Sequence, residues 1–421
     1  MSVPTLDEFR AEVIAFLEAN ASLKAEEKKF VWGQGPDSAS LFREPDRDKE
    51  AEDLARAKAW RAQRWDAGLG WISGPERYGG RALPGTYDRV YSELEARYDA
   101  PNQSYFGIGL GMVAPTIKDH ARPEVAGHLL PKMYRADIVG CQLFSEPGAG
   151  SDLAGLQTRA ERDGDEWVIT GQKVWTSGAH YSDIGEVMTR TDPSLPKHKG
   201  LTAFVVDMRA PGVEVRPLRQ MTGGASFNEV FFNEVRVPDT HRLGDVNDGW
   251  RVALTTLMNE RASIGAGGAG GGSNVGVTRL IEMVRHFGLD RDPVVRQELA
   301  AVYTGSTVLR YMNMRALERV KQGQLPGPEF SASKLALTEN MRRISEFVSH
   351  VLGAKLVVDT GEWGTYSWAG YVLGMPGMAI AGGSDQVLRN IVAERVLGLP
   401  KEPGIDTTSP FNQIKANATK D

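Results

Sequence analysis

Two segments of this 421-residue chain combine residues that could hold a flat, polar ring system. The first, QLFSEPGAGSD at residues 142–152, places the hydroxyls of Ser145 and Ser151 around glycines, whose backbone N–H groups can approach a ligand closely. The second, KVWTSG, offers the flat face of Trp175 with the hydroxyl of Ser177 beside it. A flavin isoalloxazine needs an apolar wall, neutral hydrogen-bond partners and close backbone approach, which the two segments supply together. Taken singly, each is equally well explained as a glycine-rich turn or a core tryptophan.

A carboxylate further along the chain stands where a general base could act. The residues that share one face of a predicted helix, at three- and four-residue spacing, are Trp250, Ala253, Leu257, Glu260 and Ile264. Glu260 therefore lies on an apolar stripe, where an unpaired carboxylate is costly unless a function requires it. The alternative is an ordinary surface or ion-paired glutamate.

The elements that must position these residues change character twice along the chain. Residues 1–137 carry apolar residues at helical spacing, which predicts a helical domain that opens with a capping box of Thr5 and Glu8. Residues 138–244 hold short β-branched and aromatic segments separated by turns, which predicts an antiparallel β domain. Residues 245–421 return to long helical patterns joined by short loops, which predicts a bundle. The fold class is therefore α+β, multidomain, in the order helical, β, helical.

Composition excludes several other classes of protein. The net charge of −5, with basic and acidic residues interleaved, is not typical of a nucleic-acid-binding surface. Cys141 is the only cysteine, so we expect a core residue and no disulfide, and the seven histidines show no metal-binding spacing. We find no signal peptide and no apolar run of membrane-spanning length, so the expected location is cytoplasmic. SASK, at residues 331–334, matches the Ser-x-x-Lys form of acyl-serine enzymes but lacks its partner motifs.

A helical–β–helical chain with SEPGAGSD in its β region resembles the acyl-CoA dehydrogenases. The likeness covers nearly the whole chain, with GWISGPERYGG, WVITGQKVWTSG, LMNER and RNIVAERVLGLP in the family's order. It implies the family's fold: an N-terminal helical domain, a middle antiparallel β-barrel-like domain and a C-terminal four-helix bundle. It also implies an FAD cofactor. Phe144 and Ser145 would contact the flavin ring, Ser151 would lie by the cofactor and the thioester, and Trp175 and Ser177 would flank the reactive flavin edge.

The same resemblance assigns the base. Many members carry a catalytic Glu in a C-terminal Tyr-Glu-Gly-Thr-Ser motif, but the aligned stretch here, AGGSDQVLRN, has Gly382 at that position. A branch that includes isovaleryl- and long-chain-type enzymes carries its base as Glu-Arg in an earlier helix, which Glu260-Arg261 matches. The resemblance therefore implies Glu260 as the base and Arg261 as its orienting neighbour. A purely structural ion pair is the alternative for Arg261.

Elements that bind FAD across a subunit boundary in the family match less closely. Arg-x-x-Phe-Gly appears as RHFG, one residue shorter, and Gln-x-Leu-Gly-Gly appears as HVLGA, with His for Gln and Ala for the second Gly. Ser384 and Gln386 keep hydroxyl and amide functions at positions that resemble FAD contacts of the family. The resemblance carries FAD contacts onto Arg285, Phe287, His350, Gly353, Ser384 and Gln386.

The implied activity is that of an oxidoreductase of β-oxidation type: α,β-dehydrogenation of an acyl-CoA thioester to the trans-2-enoyl-CoA. Glu260 takes the α proton, FAD accepts the β hydride, and an electron-transfer flavoprotein reoxidises the cofactor. Members are usually homotetramers or dimers of dimers. Two alternatives stay open: an acyl-CoA oxidase, and a subunit of a heteromeric dehydrogenase with an incomplete FAD site. The acyl group, whether straight, branched or polycyclic, also stays open, although the glycines after Ile264 suggest room for a long or bulky one.

Overall fold

The computed structural model describes residues 3–25, 30–42, 47–265, 276–321, 329–401 and 407–414. The N-terminal part is helical. Its helices are α1 (Leu6–Asn20), α2 (Arg47–Asp66), α3 (Gly85–Glu95), α4 (Ala114–His120) and α5 (Pro123–Arg135). The capping box is confirmed, because the Thr5 backbone N–H donates to Glu8 Oε2 at 2.7 Å and the Glu8 N–H donates to Thr5 Oγ1 at 3.3 Å.

A π-helical turn at Gly109–Val113 runs directly into α4. It lies against the first strand so closely that a Cβ on Gly109 would be 3.1 Å from the backbone nitrogen of Gly140. Only a glycine fits such an approach without displacing the strand. The turn is thus held against the sheet at the point where the chain enters the β region.

The β region forms one mixed sheet. Its strands are β1 (Gly140–Leu143), β2 (Arg159–Asp163), β3 (Glu166–Ser177), β4 (Ile184–Arg190), β5 (Leu201–Asp207), β6 (Val213–Leu218), β7 (Phe227–Pro238) and β8 (Arg242–Leu243). Across the described residues the order is β6-β7-β3-β2-β4-β5-β8, with β1 beside β4. Most pairs are antiparallel, as expected, but β4 runs parallel to β1, with Gln142 opposite Glu186, and it also pairs in parallel with β2, where Arg190 lies opposite Arg159. A parallel pair needs a crossover connection, here supplied by the turn after β1 and the β2–β3 hairpin.

Both faces of the central strands are buried. On β4, Ile184 and Met188 face a core formed with α4, α5 and α6, whereas Val187 faces a second core inside the β region. Cys141 lies in that second core, which confirms the prediction that it is a core residue. Because neither face meets water, β4 is buried along its whole length.

The C-terminal part is again helical. Its helices are α6 (Gly249–Gly265), α7 (Val277–His286), α8 (Pro293–Lys321), α9 (Glu329–Leu352), α10 (Ala369–Met378) and α11 (Asp385–Arg395). Helix α9 packs against α8, α10 and α11 around a core that contains Phe347 and Trp368. None of the helices in the described ranges combines the length and apolar character that a membrane crossing requires. Within the same ranges no three His, Cys, Asp or Glu side chains are grouped as metal ligands would be.

Candidate active site

The two segments predicted to hold the flavin lie directly against each other. The backbone N–H of Val174 donates to the carbonyl of Ser145 at 2.9 Å. The Lys173 ammonium donates to the carbonyl of Phe144 at 3.0 Å. The turn after β1 and the end of β3 therefore form a single surface, although they are distant in sequence.

A buried ion pair stabilises the contact between these two segments. Lys173 Nζ lies 2.8 Å from Glu146 Oε1, and the Glu146 carboxylate also accepts the backbone N–H groups of Gln157 and Thr158 at 2.7 and 2.9 Å. Burial lowers the pKa of Lys173 to about 8, against the opposing effect of Glu146. Burial opposes ionisation of Glu146 as well, but the Lys173 charge and the hydrogen bonds together lower the pKa of this carboxyl. Both groups are thereby held as a pair under the glycine-rich turn.

Trp175 is held in a strained and exposed conformation. Its φ of 61° is left-handed, it sits where the β3–β7 register shifts between Lys173 and Thr176, and 57% of its surface is exposed. A left-handed conformation costs a non-glycine residue about 1–3 kcal/mol. The ring edge packs on Phe227, with centroids 5.7 Å apart at 80°. An exposed, strained aromatic face beside a glycine-rich turn fits a flat ring ligand, and Ser177, at the end of β3, is partly exposed close by.

Ser151 and Ser384 join the glycine-rich turn to the C-terminal helices. Ser151 Oγ lies 3.3 Å from Ser384 Oγ, and Ser384 is the N-cap of α11, accepting from the Val387 N–H. The next residue, Asp385, accepts a hydrogen bond from Lys334 Nζ at 2.8 Å. Lys334 is the lysine of the SASK pattern, so its ammonium group is engaged in an ion pair. Gln386 is exposed on the first turn of α11.

Gly382 stands just before this cap with a φ of 65°. A glutamate at this position would have to adopt a left-handed conformation, which side chains avoid. The local backbone therefore agrees with the sequence in placing the base elsewhere.

Glu260 lies on α6, whose buried face agrees with the predicted stripe. Ala253 is fully buried, and Trp250 and Leu257 pack against the same core as Phe144. Glu260 follows on this face and is partly exposed. The side chains of Arg261 and Ile264, and the glycines of residues 266–275, lie outside the described part of the chain.

The four residues expected to reach FAD across a subunit boundary lie in the C-terminal bundle. Arg285 is exposed and pairs with Glu282 at 2.8 Å, and Phe287 packs edge-on to Trp32. His350 Nδ1 lies 2.8 Å from Glu298 Oε2 on α8. Gly353 follows α9 with a φ of 51°. Among the contacts of the described residues, none joins these four to the turn after β1 or to the end of β3.

Sequence reasoning missed the pair of Glu146 and Lys173. The available signal was a lysine inside a strand rich in apolar and β-branched residues, where a buried ammonium group needs a partner. The partner's position, in a turn after a different strand, has no local signature.

Two domain models of one family match the chain: the acyl-CoA dehydrogenase middle domain at residues 141–235 and the acyl-CoA dehydrogenase C-terminal domain at residues 247–397. The acyl-CoA dehydrogenase IpdE1 of Mycobacterium tuberculosis is 36% identical over 407 residues, covering 94% of this chain and 98% of that relative. This chain belongs to the acyl-CoA dehydrogenase family. It is accordingly an oxidoreductase that uses FAD.

Solved structures of other proteins share the whole architecture. The Tcur3481-Tcur3483 steroid ACAD is 28% identical with a TM-score of 0.69, covering 96% of this chain and 99% of that one. The ChsE4-ChsE5 complex from Mycobacterium tuberculosis is 25% identical with a TM-score of 0.65, again covering 96% and 99%. The N-terminal helices, which neither domain model reaches, are thus part of the same fold.

Replacing Lys173 with Met should weaken both the fold and FAD binding. The change leaves Glu146 buried without its counter-ion, and breaking a buried ion pair costs about 3–5 kcal/mol. We expect a lower melting temperature and a larger FAD dissociation constant, measured by differential scanning fluorimetry and flavin fluorescence titration. Lys199→Met, at an exposed lysine of the same region, is the matched control and should change neither quantity. Normal FAD affinity in Lys173→Met would contradict this role for the pair.

Proposed function

We propose that this acyl-CoA dehydrogenase oxidises the Cα–Cβ bond of an acyl-CoA thioester to the trans-2-enoyl-CoA, with Glu260 as the base. The Cα–H bond breaks as Glu260 takes the proton, and a Cα=Cβ double bond forms as hydride leaves Cβ. Bound FAD supplies the hydride acceptor. We further propose that the reduced cofactor passes its electrons to an electron-transfer flavoprotein.

The position of α6 is the observation that supports this assignment. Its buried face shares one core with Phe144, so the helix that carries Glu260 and the turn that carries Ser145 pack on the same side of the sheet. Gly382 cannot supply a base. An acyl chain bound over the partly exposed Glu260 would remove water from it, and desolvation favours transfer of a proton to a carboxylate.

Glu260→Gln should retain FAD and lose nearly all turnover. The amide preserves shape but accepts no proton, and a general base contributes about 10²–10⁴-fold to rate. Turnover is measured by dye reduction with the best acyl-CoA found, and FAD by absorbance. Glu93→Gln, at an exposed glutamate of α3, serves as the control and should match the unmodified enzyme. Substantial turnover in Glu260→Gln would remove Glu260 from this role.

The acyl group that we propose is a bulky, ring-containing one. A structurally similar enzyme is described as a steroid ACAD. In this chain the π-helical turn before α4 places Gly111 between the partly exposed side chains of Leu110 and Met112. A glycine there leaves space that a larger side chain would fill, which suits a wide acyl group.

A panel of straight, branched and polycyclic acyl-CoAs should separate these classes. We expect kcat/KM to be highest for a polycyclic thioester, because a wide pocket contacts a ring system over more area than a short chain. Gly111→Leu should reduce kcat/KM for the polycyclic substrate more than for a short straight one. A preference for short straight chains in the unmodified enzyme would reject a ring substrate.

We propose that the active enzyme is an oligomer in which a neighbouring subunit completes the FAD site. Two observations support it. Among the described residues, no hydrogen bond, ion pair or ring contact joins Arg285, Phe287, His350 or Gly353 to the proposed flavin surface of their own chain. Helix α8 also exposes Tyr303, Tyr311 and Met314, each at 58%, on neighbouring turns of one side. Exposed apolar patches of this kind mark protein interfaces.

The chain expressed alone should form a homo-oligomer of four with FAD bound. Tyr311→Glu should shift the mass measured by light scattering to a smaller species and lower the FAD content, because it charges the exposed face of α8. Met221→Glu, at a residue exposed in the β region, is the control and should leave both unchanged. A colourless chain that becomes yellow only with a second, related chain would show instead that the oligomer is heteromeric, as the names of the Tcur3481-Tcur3483 and ChsE4-ChsE5 proteins suggest for those enzymes.

A further inference from the structure

A glutamate lies fully buried in the middle of the sheet. Glu186 is on β4, between Ile184 and Met188 on the face toward α6, and none of its surface is exposed. Its neighbours across the sheet are Gln142 on β1 and Val205 on β5. No role proposed above accounts for a carboxyl group at this position, where an unpaired charge would be costly.

Glu186 begins a chain of short hydrogen bonds. Its Oε1 lies 2.6 Å from Thr256 Oγ1 on α6, which lies 2.9 Å from Thr116 Oγ1 on α4. Thr116 Oγ1 in turn donates to the carbonyl of Met112 at 2.9 Å. The chain therefore connects the sheet to α6, α4 and the π-helical turn.

The number of available protons bears on the state of the carboxyl group. Three oxygen–oxygen contacts, of 2.6, 2.9 and 2.9 Å, need three protons to be hydrogen bonds at once, and the two threonines supply one each, while Met112 offers only a carbonyl. Thr256 Oγ1 also lies 3.3 Å from the Val252 carbonyl, so an ionised Glu186 would leave two threonine protons shared among four contacts. A proton on Glu186 supplies the third donor, and the three short bonds then run from Glu186 to Thr256, to Thr116 and to the Met112 carbonyl.

Two further features agree with a protonated carboxyl. Within the described residues Glu186 Oε2 has no hydrogen-bond partner, a condition far less costly for a neutral acid than for a carboxylate. Burial raises the pKa of Glu186 to about 8, and the bond with Thr256 only partly offsets this.

The hydrogen-bond chain lies next to both parts of the proposed active site in the sequence of α6 and in the register of the sheet. Thr256 is one helical turn before Glu260, and Glu186 is in register with Gln142, two residues before Phe144. We propose that protonated Glu186 is a positioning residue, which fixes the helix of the base against the flavin strand through Thr256 and Thr116. This proposal rests on the proposed role of Glu260.

The ionisable groups near the chain are few. Gln142, Val205, Thr256 and Thr116 carry none. One turn further along α6 is Glu260, and one turn further along α4 is His120, whose Nε2 lies 2.8 Å from Thr255 Oγ1 rather than from Thr256. The other ionisable residues of α4, Lys118 and Asp119, pair with each other at the surface. Replacing Glu186 alone therefore separates its titration from that of the other ionisable groups.

The first test compares Glu186→Leu with Glu186→Gln. Leucine removes the donor, and misplacing a reacting group by about 1 Å costs up to roughly 10²-fold in rate, so we expect kcat to fall about 10- to 100-fold with KM and FAD content little changed. Glutamine keeps a neutral donor and should restore kcat to within about twofold. Thr256→Val should behave like Glu186→Leu. Thr255→Val is the matched control and should retain kcat. Full kcat in Glu186→Leu, or a loss of kcat matched by a loss of melting temperature, would overturn the positioning role.

The second test detects the proton on Glu186 without measuring enzyme activity. Infrared difference spectra between the unmodified enzyme and Glu186→Gln should show the carbonyl band of a protonated carboxylic acid at pH 7. A carboxylate band in its place would overturn the proposal. If Glu260→Gln kept its activity while this acid band were present, the base assignment would fail and the protonated Glu186 would stand, so the two failures are distinguishable.

The pH dependence of stability gives a third readout. The pKa of Glu186 is raised from its unfolded value of 4.5 to about 8 in the folded protein, so its contribution to stability is complete below pH 4.5 and declines as the pH rises toward 8. Glu186→Gln cannot titrate. The melting temperature of this variant relative to the unmodified enzyme should therefore increase between pH 5 and pH 8 and then level off. A difference independent of pH would contradict the protonated state.

Discussion

The buried contact between Glu146 and Lys173 is the interaction on which the proposed flavin surface depends. Removing two charges from water is expensive, and the cost is offset only when the remaining donors and acceptors are satisfied. Here two backbone N–H groups complete the carboxylate and the Phe144 carbonyl accepts from the ammonium. With this geometry, the pair places the turn after β1 on the end of β3. The segments that carry Ser145 and Trp175 are thereby held side by side.

The central strand β4 relates this surface to the rest of the molecule. One of its faces packs toward α4, α5 and α6, and the other packs toward the interior of the β region. A shift of β4 would therefore disturb the packing of both cores. Chemistry that needs a carboxylate on α6 and a ring cofactor on the sheet requires a fixed distance between these layers. Apolar contacts alone are non-directional and permit sliding. The hydrogen bonds that join Glu186 to Thr256 and Thr256 to Thr116 add direction to this interface.

Periodicity predicted the order of helical and β regions because each element buries one face with its own repeat. It predicted the capping box of Thr5 and Glu8 and the buried face of α6 for the same reason, since each depends on residues within a few positions of each other. The parallel pairing of β1 with β4 was not predictable in this way, because a strand carries no local mark of its partner. The contacts of Lys173 with Glu146 and of Glu186 with Thr256 join residues 27 and 70 positions apart, and only the folded chain brings them together. The resemblance to a family predicted which segments hold the cofactor, yet it did not reveal which buried charges support these segments.

The parallel pair of β1 and β4 also has a kinetic consequence. The crossover between these strands contains the glycine-rich turn, the β2–β3 hairpin and Trp175, so the whole flavin surface lies inside one closed loop of the chain. Closing a long loop costs entropy before its contacts form, which makes such pairings slow steps of folding. A cofactor that binds the native arrangement of this loop in preference to the unfolded chain stabilises the closed loop by mass action, so the stability of the β1–β4 pairing is linked to occupancy of the proposed FAD site.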